Sequence, residues 1–146
     1  MLSSTTEYAL RAVIWLASQR GQNLRTEAIA QATQVPASYL AKVLQTLSRA
    51  GIVQSQSGPR GGFQISFEPD RLTVLDVVNA IEPIERISEC PLRLSEHRHE
   101  LCTLHARLDA ARAAVEQALG SCTIASLLEV PREQAPLCLQ PSERPS

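Results

Sequence analysis

Aromatic residues are scarce: one Trp, two Tyr and two Phe, 3% of 146 residues. Apolar residues still make up 44%, so the core must be built from Leu, Val, Ile and Ala, a mixture that leans towards helix. Cysteine is missing from everything before Cys90, and all four thiols (Cys90, Cys102, Cys122, Cys138) fall in the second half. No window approaches about 18 uninterrupted apolar residues, and no basic-then-apolar leader opens the chain. It therefore reads as a soluble, cytoplasmic protein with no membrane partner. In that compartment thiols are more often reduced, metal-bound or redox-active than locked in structural disulfides. A C-x-x-C pair, a phosphate-binding glycine loop and a recognisable nucleophile–base set are also absent. An enzyme is not expected, and the length suits one domain, or one small domain with an oligomerisation element.

Acidic residues are missing where they would matter to a polyanion. The formal net charge is −1, yet no acid occurs between Glu27 and Glu68, where the charges are Lys42, Arg49 and Arg60. Residues 71–146 hold the excess of acids. An acid-free surface is what a nucleic-acid partner requires.

Hydrophobic periodicity then orders the elements. "STTEYALRAVIWLASQ" opens with Ser/Thr caps and carries Leu10, Val13, Ile14 and Ala17 at helical spacing. "LRTEAIAQAT" predicts a short second helix with Thr26 as its cap. "SYLAKVLQTLSRAG" predicts a third, whose Tyr39, Leu40, Val43, Leu44 and Leu47 form one stripe and whose stop is Gly51. "IVQSQS" and "FQISF" flank "GPRGG" and read as a β-hairpin. "LTVLDVVNAIE" is a fourth helix. A long helix follows from about Leu101 to Leu119, with Leu101, Leu104, Leu108, Ala111, Val115 and Ala118 at the a/d spacing of a coiled-coil seam. A seam that narrow usually meets a partner helix, so a homodimer is expected, with packing on its own domain as the alternative. "CTIASLL" is a short packing helix, and Cys122 packs at its start.

Helix, short helix, tight turn, helix and hairpin is the order of a winged helix-turn-helix. The fold class expected is mainly α, with a small β-hairpin wing and a long C-terminal dimerisation helix. The exposed side of the third helix would carry Ser38, Lys42, Gln45, Thr46 and Arg49, with Tyr39 beside them. Lys42 and Gln45 are long enough for base edges, while Ser38 and Arg49 suit phosphate. The partner implied is a double-stranded DNA operator.

"TTEYALRAVIWLA", "PASYLAKVLQTLSRAGIVQSQSGPRGGFQIS" and "LTVLDVVNAIE" together resemble the Rrf2 family of bacterial transcription regulators, over roughly residues 1–128. The resemblance implies a dimeric winged-helix repressor or activator whose wing carries Gly61 and Gly62. Many relatives have an arginine just before the wing glycines, in a register where this chain has Ser57; its own arginine is Arg60, inside the turn. Minor-groove insertion by Arg60 is the expectation. Some relatives carry a glutamate in the recognition helix where this chain has Ala41.

Cluster-bearing members resemble one another in a Cys-x5-Cys-x5-Cys spacing, with a histidine three residues after the last cysteine in the iron–sulfur assembly regulators. On "CPLRLSEHRHELCTLH" that pattern falls on Cys90, Glu96, Cys102 and His105. Two thiolates, an imidazole and an oxygen donor suit a 2Fe–2S iron–sulfur cluster of mixed ligation. Glu7 is a further donor, since in some relatives an N-terminal acid of the partner subunit completes the site; its plainer role is a first-turn acid offsetting the helix dipole. His97 and His99 read as solvated. Zinc, a metal-free thiol switch at Cys90 or Cys102, and an inert loop stay open beside the cluster. A small thiol or metal-handling protein, or an adaptor using the long helix, are the competing classes. The domain plan expected is a DNA-binding domain at 1–82, a sensor loop at 83–100, dimerisation and packing helices at 101–130, and a disordered tail at 131–146.

Overall fold

The computed structural model describes residues 2–138. Among them, no helix is long and apolar enough to cross a membrane. The architecture is mainly helical with one two-stranded antiparallel hairpin, as the sequence predicts.

Helix α1 (Ser4–Ser18) is central, touching the second, third and fourth helices and the hairpin. Ser3 caps it by accepting the Thr6 N–H at 3.2 Å. Ala9, Ala12, Val13 and Leu16 are wholly buried along it. Helix α2 (Thr26–Thr33) begins one residue earlier than its expected cap allows. Thr26 is its first helical residue, Arg25 takes the cap position, and no side chain caps that end.

Helix α3 (Ala37–Arg49) buries Leu40, Val43, Leu44 and Leu47. Tyr39 departs from the expected stripe. It is 57% exposed, because at about 100° per residue it sits a quarter turn from the centre of that stripe. The helix ends where Gly51 enters the left-handed region (φ +77°). There Gly51 N–H reaches Ser48 O and Ile52 N–H reaches Leu47 O, each at 3.0 Å. This double closure satisfies the last carbonyls and turns Ile52 and Val53 back into the core.

Strands β1 (Val53–Gln56) and β2 (Gly62–Ile65) pair with Val53 opposite Ile65 and Gln56 opposite Gly62. The wing is sewn to the α1–α2 connection by Leu24 and Phe63, which exchange two backbone hydrogen bonds of 2.9 and 2.8 Å. Gly62 lies against that seam, and a Cβ on it would stand 2.5 Å from Leu24 O. Helix α4 (Val74–Ile81) starts with a reciprocal capping box between Thr73 and Asp76 and buries Val74, Val77 and Val78.

Helix α5 (Thr103–Gly120) behaves differently: none of its residues is buried. Leu104, Leu108, Ala111 and Ala118 of the expected seam are exposed and Leu101 and Val115 are half-buried, while Leu119 packs against the core and polar contacts tie the helix to the segment after α4. Asp109 receives Arg86 Nε at 2.7 Å, Arg86 Nη2 at 2.8 Å and the Ile87 N–H at 2.8 Å. Arg112 donates to Glu85 O at 2.7 Å. The Arg86 guanidinium and then the Ile87 N–H draw the Asp109 carboxyl down to about 2.

Helix α6 (Ile124–Leu128) returns to the winged-helix core, where Ile124 is fully buried and Cys122 packs against the cluster. Of the tail expected to be disordered, residues 131–138 are described: Ala135 is buried and Leu137 rests on the core. Residues 139–146 lie outside the described residues.

Candidate nucleic-acid interface and thiol site

The α3 stripe that packs inward fixes what points outward. Ser38, Tyr39, Lys42, Gln45 and Arg49 are exposed, and Thr46 is half-buried. The Thr46 hydroxyl turns back to Lys42 O at 3.1 Å, which removes it from free donation. No acid occupies the first turn of α3, and no side chain caps its N-terminus. That end therefore keeps the positive pole of its dipole. Among the described residues, Lys42, Arg49 and Arg60 have no acidic partner within ion-pair distance.

Arg60 is exposed in the wing tip, where Gly61 N–H closes a turn on Gly58 O at 2.9 Å. Two contacts brace that tip from the α1–α2 connection. Arg25 Nη2 donates to Pro59 O at 2.7 Å, and Asn23 Nδ2 donates to Gln56 Oε1 at 2.6 Å. Arg25 carried no signal in the sequence, because its partner is a backbone carbonyl distant along the chain.

The Cys90–His105 segment holds two thiol–imidazole pairs. Cys90 Sγ lies 3.7 Å from His97 Nδ1, and Cys102 Sγ lies 3.2 Å from His105 Nδ1. Cys90 is buried in a turn closed by Arg93 N–H on Cys90 O at 2.9 Å, with Arg93 at φ +54°. The Leu94 N–H, then the His97 ring and the Leu92 N–H, favour the thiolate over burial and bring the Cys90 thiol down to about 7. A hollow beside it is lined by Glu89, Arg93, Leu94, His97 and Arg98. Cys102 occupies the cap position of α5, one helical turn from His105.

The expected ligand set is not assembled. Glu96 bonds the neighbouring Ser95 hydroxyl at 3.0 Å, and Glu7 is paired with Arg11 at 2.7 Å on α1. Among the described residues no three His, Cys, Asp or Glu side chains gather as a metal ion would need. Only Cys102 and His105 of the four pattern positions stand together. In this conformation the donors do not fit a 2Fe–2S cluster. His97, read as solvated, is instead the partner of Cys90; a seven-residue separation across a 3₁₀ turn has no periodicity from which to find it.

Known proteins resemble this chain in sequence and in fold. An HTH-type transcriptional regulator of Aquifex aeolicus (strain VF5) is 32% identical over 133 residues, covering 89% of this chain and 92% of that protein. Among solved structures, CymR, the global cysteine regulator of B. subtilis, matches with a TM-score of 0.72 and 28% identity, over 87% of this chain and 95% of that one. T. potens IscR has the same fold, with a TM-score of 0.73 at 22% identity, over 88% of this chain and 86% of that one. The Rrf2 sequence model, described as iron-dependent transcriptional regulator, matches residues 2–130. The winged helix, its long flanking helix and the span of that match assign the chain to a family: it belongs to Rrf2.

Proposed function

We propose that this protein is a cytoplasmic, homodimeric transcription regulator that grips a duplex operator with α3 and the wing. Thiols of the Cys90–His105 segment tune that grip. One observation carries the DNA reading: a continuous exposed face free of acids, from Ser38 and Tyr39 through Lys42 and Gln45 to Arg49, together with an exposed Arg60 on the wing. A helix of this kind enters a major groove, where Lys42 and Gln45 reach base edges while Ser38 and Arg49 meet phosphate. Arg60 would enter the adjacent minor groove. Gly61 and Gly62 let the wing backbone turn tightly enough to deliver it.

The homodimer rests on the α5 seam, where Leu104, Leu108, Ala111 and Ala118 are exposed while Asp109 and Arg112 are used within the chain. Pairing two α5 helices would set two recognition helices on successive major grooves, about 34 Å apart. A duplex recovered by selection from a random library tests the whole reading. Wild-type affinity should fall steeply as salt rises. Lys42→Ala and Arg60→Ala should each weaken it by about tenfold, with the dimer intact. Unchanged affinity in both variants removes these assignments.

For the sensor, the two thiol–imidazole pairs favour a metal-free thiol switch at Cys90, with Cys102 as a second redox-active group. The likeness to a cysteine regulator supports a sulfur-linked signal. A second reading is an iron–sulfur centre for which Cys90, and Glu96 or Glu7, would have to leave their present partners and join Cys102 and His105. It is supported by the adjacency of Cys102 and His105 and by the iron dependence in the family's description. Anaerobic purification separates the two. Colour, iron and sulfide that disappear in Cys90→Ala establish the cluster. Colourless protein free of iron and zinc after reconstitution leaves the thiol switch or an inert loop, and operator affinity unchanged by oxidation would leave only the latter.

A further inference from the structure

The chain has only two tyrosines, and both lie against each other at the surface. Tyr8 on α1 meets Tyr39 on α3 edge-on, with ring centroids 6.1 Å apart and planes at 64°. Arg11 stands over the Tyr8 ring, its guanidinium carbon 5.6 Å from the centroid. In a protein with so few aromatics, leaving Tyr39 57% exposed withholds a large apolar side chain from the core. The position explains the choice. Tyr39, Lys42, Thr46 and Arg49 follow one another at spacings of three and four, so Tyr39 begins the same stripe that carries the cations of α3. Tyr8 and Arg11 carry that stripe across to α1.

We propose that Tyr8, Arg11 and Tyr39 form an anchor for a DNA phosphate beside the N-terminus of α3, and that Glu7 guards it by holding Arg11 when DNA is absent. This rests on the duplex-binding reading above and adds residues from a different helix to it. Arg11 presents its fork to the Glu7 carboxylate, Nε to Oε1 at 3.1 Å and Nη2 to Oε2 at 2.7 Å, while Nη1 touches Thr33 O at 3.4 Å. A phosphate offers the same two-oxygen geometry with more charge. The Glu7 side chain is 53% exposed and that of Arg11 33% exposed, so water screens their pair and exchange of partners is inexpensive. The face of the Tyr8 ring stays within reach of the guanidinium as it changes partner, and the Tyr39 hydroxyl supplies a second donor. The uncapped, acid-free first turn of α3 favours the same anion.

The test uses the full-length protein and a mixed-sequence duplex of about 30 base pairs, three helical turns, because phosphate contacts are independent of sequence. Affinity is measured across a salt series. Arg11→Ala should lower the salt slope by about one and weaken binding about three- to tenfold at low salt. Tyr39→Phe should weaken it less, and Glu7→Gln should tighten it. Tightening is the decisive direction, since a merely structural Glu7–Arg11 pair would loosen α1 and weaken binding when broken. An unchanged slope in a folded Arg11→Ala protein, checked by thermal melting, overturns the anchor. A lowered slope with no tightening in Glu7→Gln keeps the anchor and removes the guard. Lys42→Ala in the same series separates this inference from the broader one. If Lys42→Ala loses affinity and Arg11→Ala does not, only the anchor fails; if wild-type protein binds no duplex at low salt, both fail.

Discussion

Four side chains of α3, Leu40, Val43, Leu44 and Leu47, are shut off from water, whereas the 18 residues of α5 bury none. The two helices belong to regions held by different forces. The winged helix closes around a continuous aliphatic cluster drawn from every one of its elements. The long helix is held by the contacts of Arg86, Asp109 and Arg112 and by Leu119 against the core, while Leu104 and Leu108 stay exposed. Burial of apolar area fixes the first region in any copy of the chain. The second rests on charge contacts and partial burial, and leaves Leu104 and Leu108 exposed.

The largest way to sharpen that contrast is a pair of truncations. Leu44→Ala should cost about 2–5 kcal/mol in denaturant unfolding, since the site is fully buried. Leu108→Ala, at a side chain 46% exposed, should cost less than about 0.5 kcal/mol when measured on dissociated chains. Equal losses would break the distinction. Next in size, Leu104→Glu with Leu108→Glu should turn dimers into monomers in sedimentation and weaken operator binding by more than about tenfold, leaving helix content unchanged. Persistent dimers would place the interface elsewhere.

Smaller effects come from charge. The Asp109 carboxyl is held down to about 2 by Arg86 and the Ile87 N–H, against about 3.9 in an unfolded chain. Its stabilising contribution is therefore full above about pH 4 and is lost as pH falls through about 2. Hydrogen exchange at the Ile87 amide should quicken across that window, and Asp109→Asn should exchange quickly at every pH. The smallest effect belongs to Cys90, whose alkylation should rise with a midpoint near pH 7. His97→Ala should move that midpoint upward, towards the ordinary thiol value of about 8.5. An unmoved midpoint would show that the backbone donors act alone.

The same division sets what could be read from the sequence. Periodicity located α1, α3, α4 and α5, because each repeats an apolar face or seam over at least two turns. The Gly51 stop and the hairpin followed from turn chemistry. Thr26 misled because a threonine suits both the cap and the first turn. Tyr39 misled because an edge position on a stripe looks apolar in sequence, whatever covers it. Of the α3 residues expected to face DNA, Ser38, Lys42, Gln45 and Arg49 are exposed, since the opposite face fixes their direction, and Thr46 is half-buried. The expected metal set scattered: Glu7 and Glu96 took local partners, and His97 joined Cys90 across a turn that carries no repeat. Arg25 and Arg86 were invisible for a related reason, since each acts on a group 20 or more residues away.

The close approach of Gly62 to Leu24 has a consequence for genetics. Any side chain there would push against the Leu24 carbonyl and lift the wing from the strand pair that holds it. On the proposed DNA-binding reading, a selection for alleles that no longer silence or switch their target would recover Gly62 alongside Lys42 and Arg60. All three would score alike in the cell. A melting curve would part them, because only the Gly62 allele would carry its defect in the shape of the protein itself.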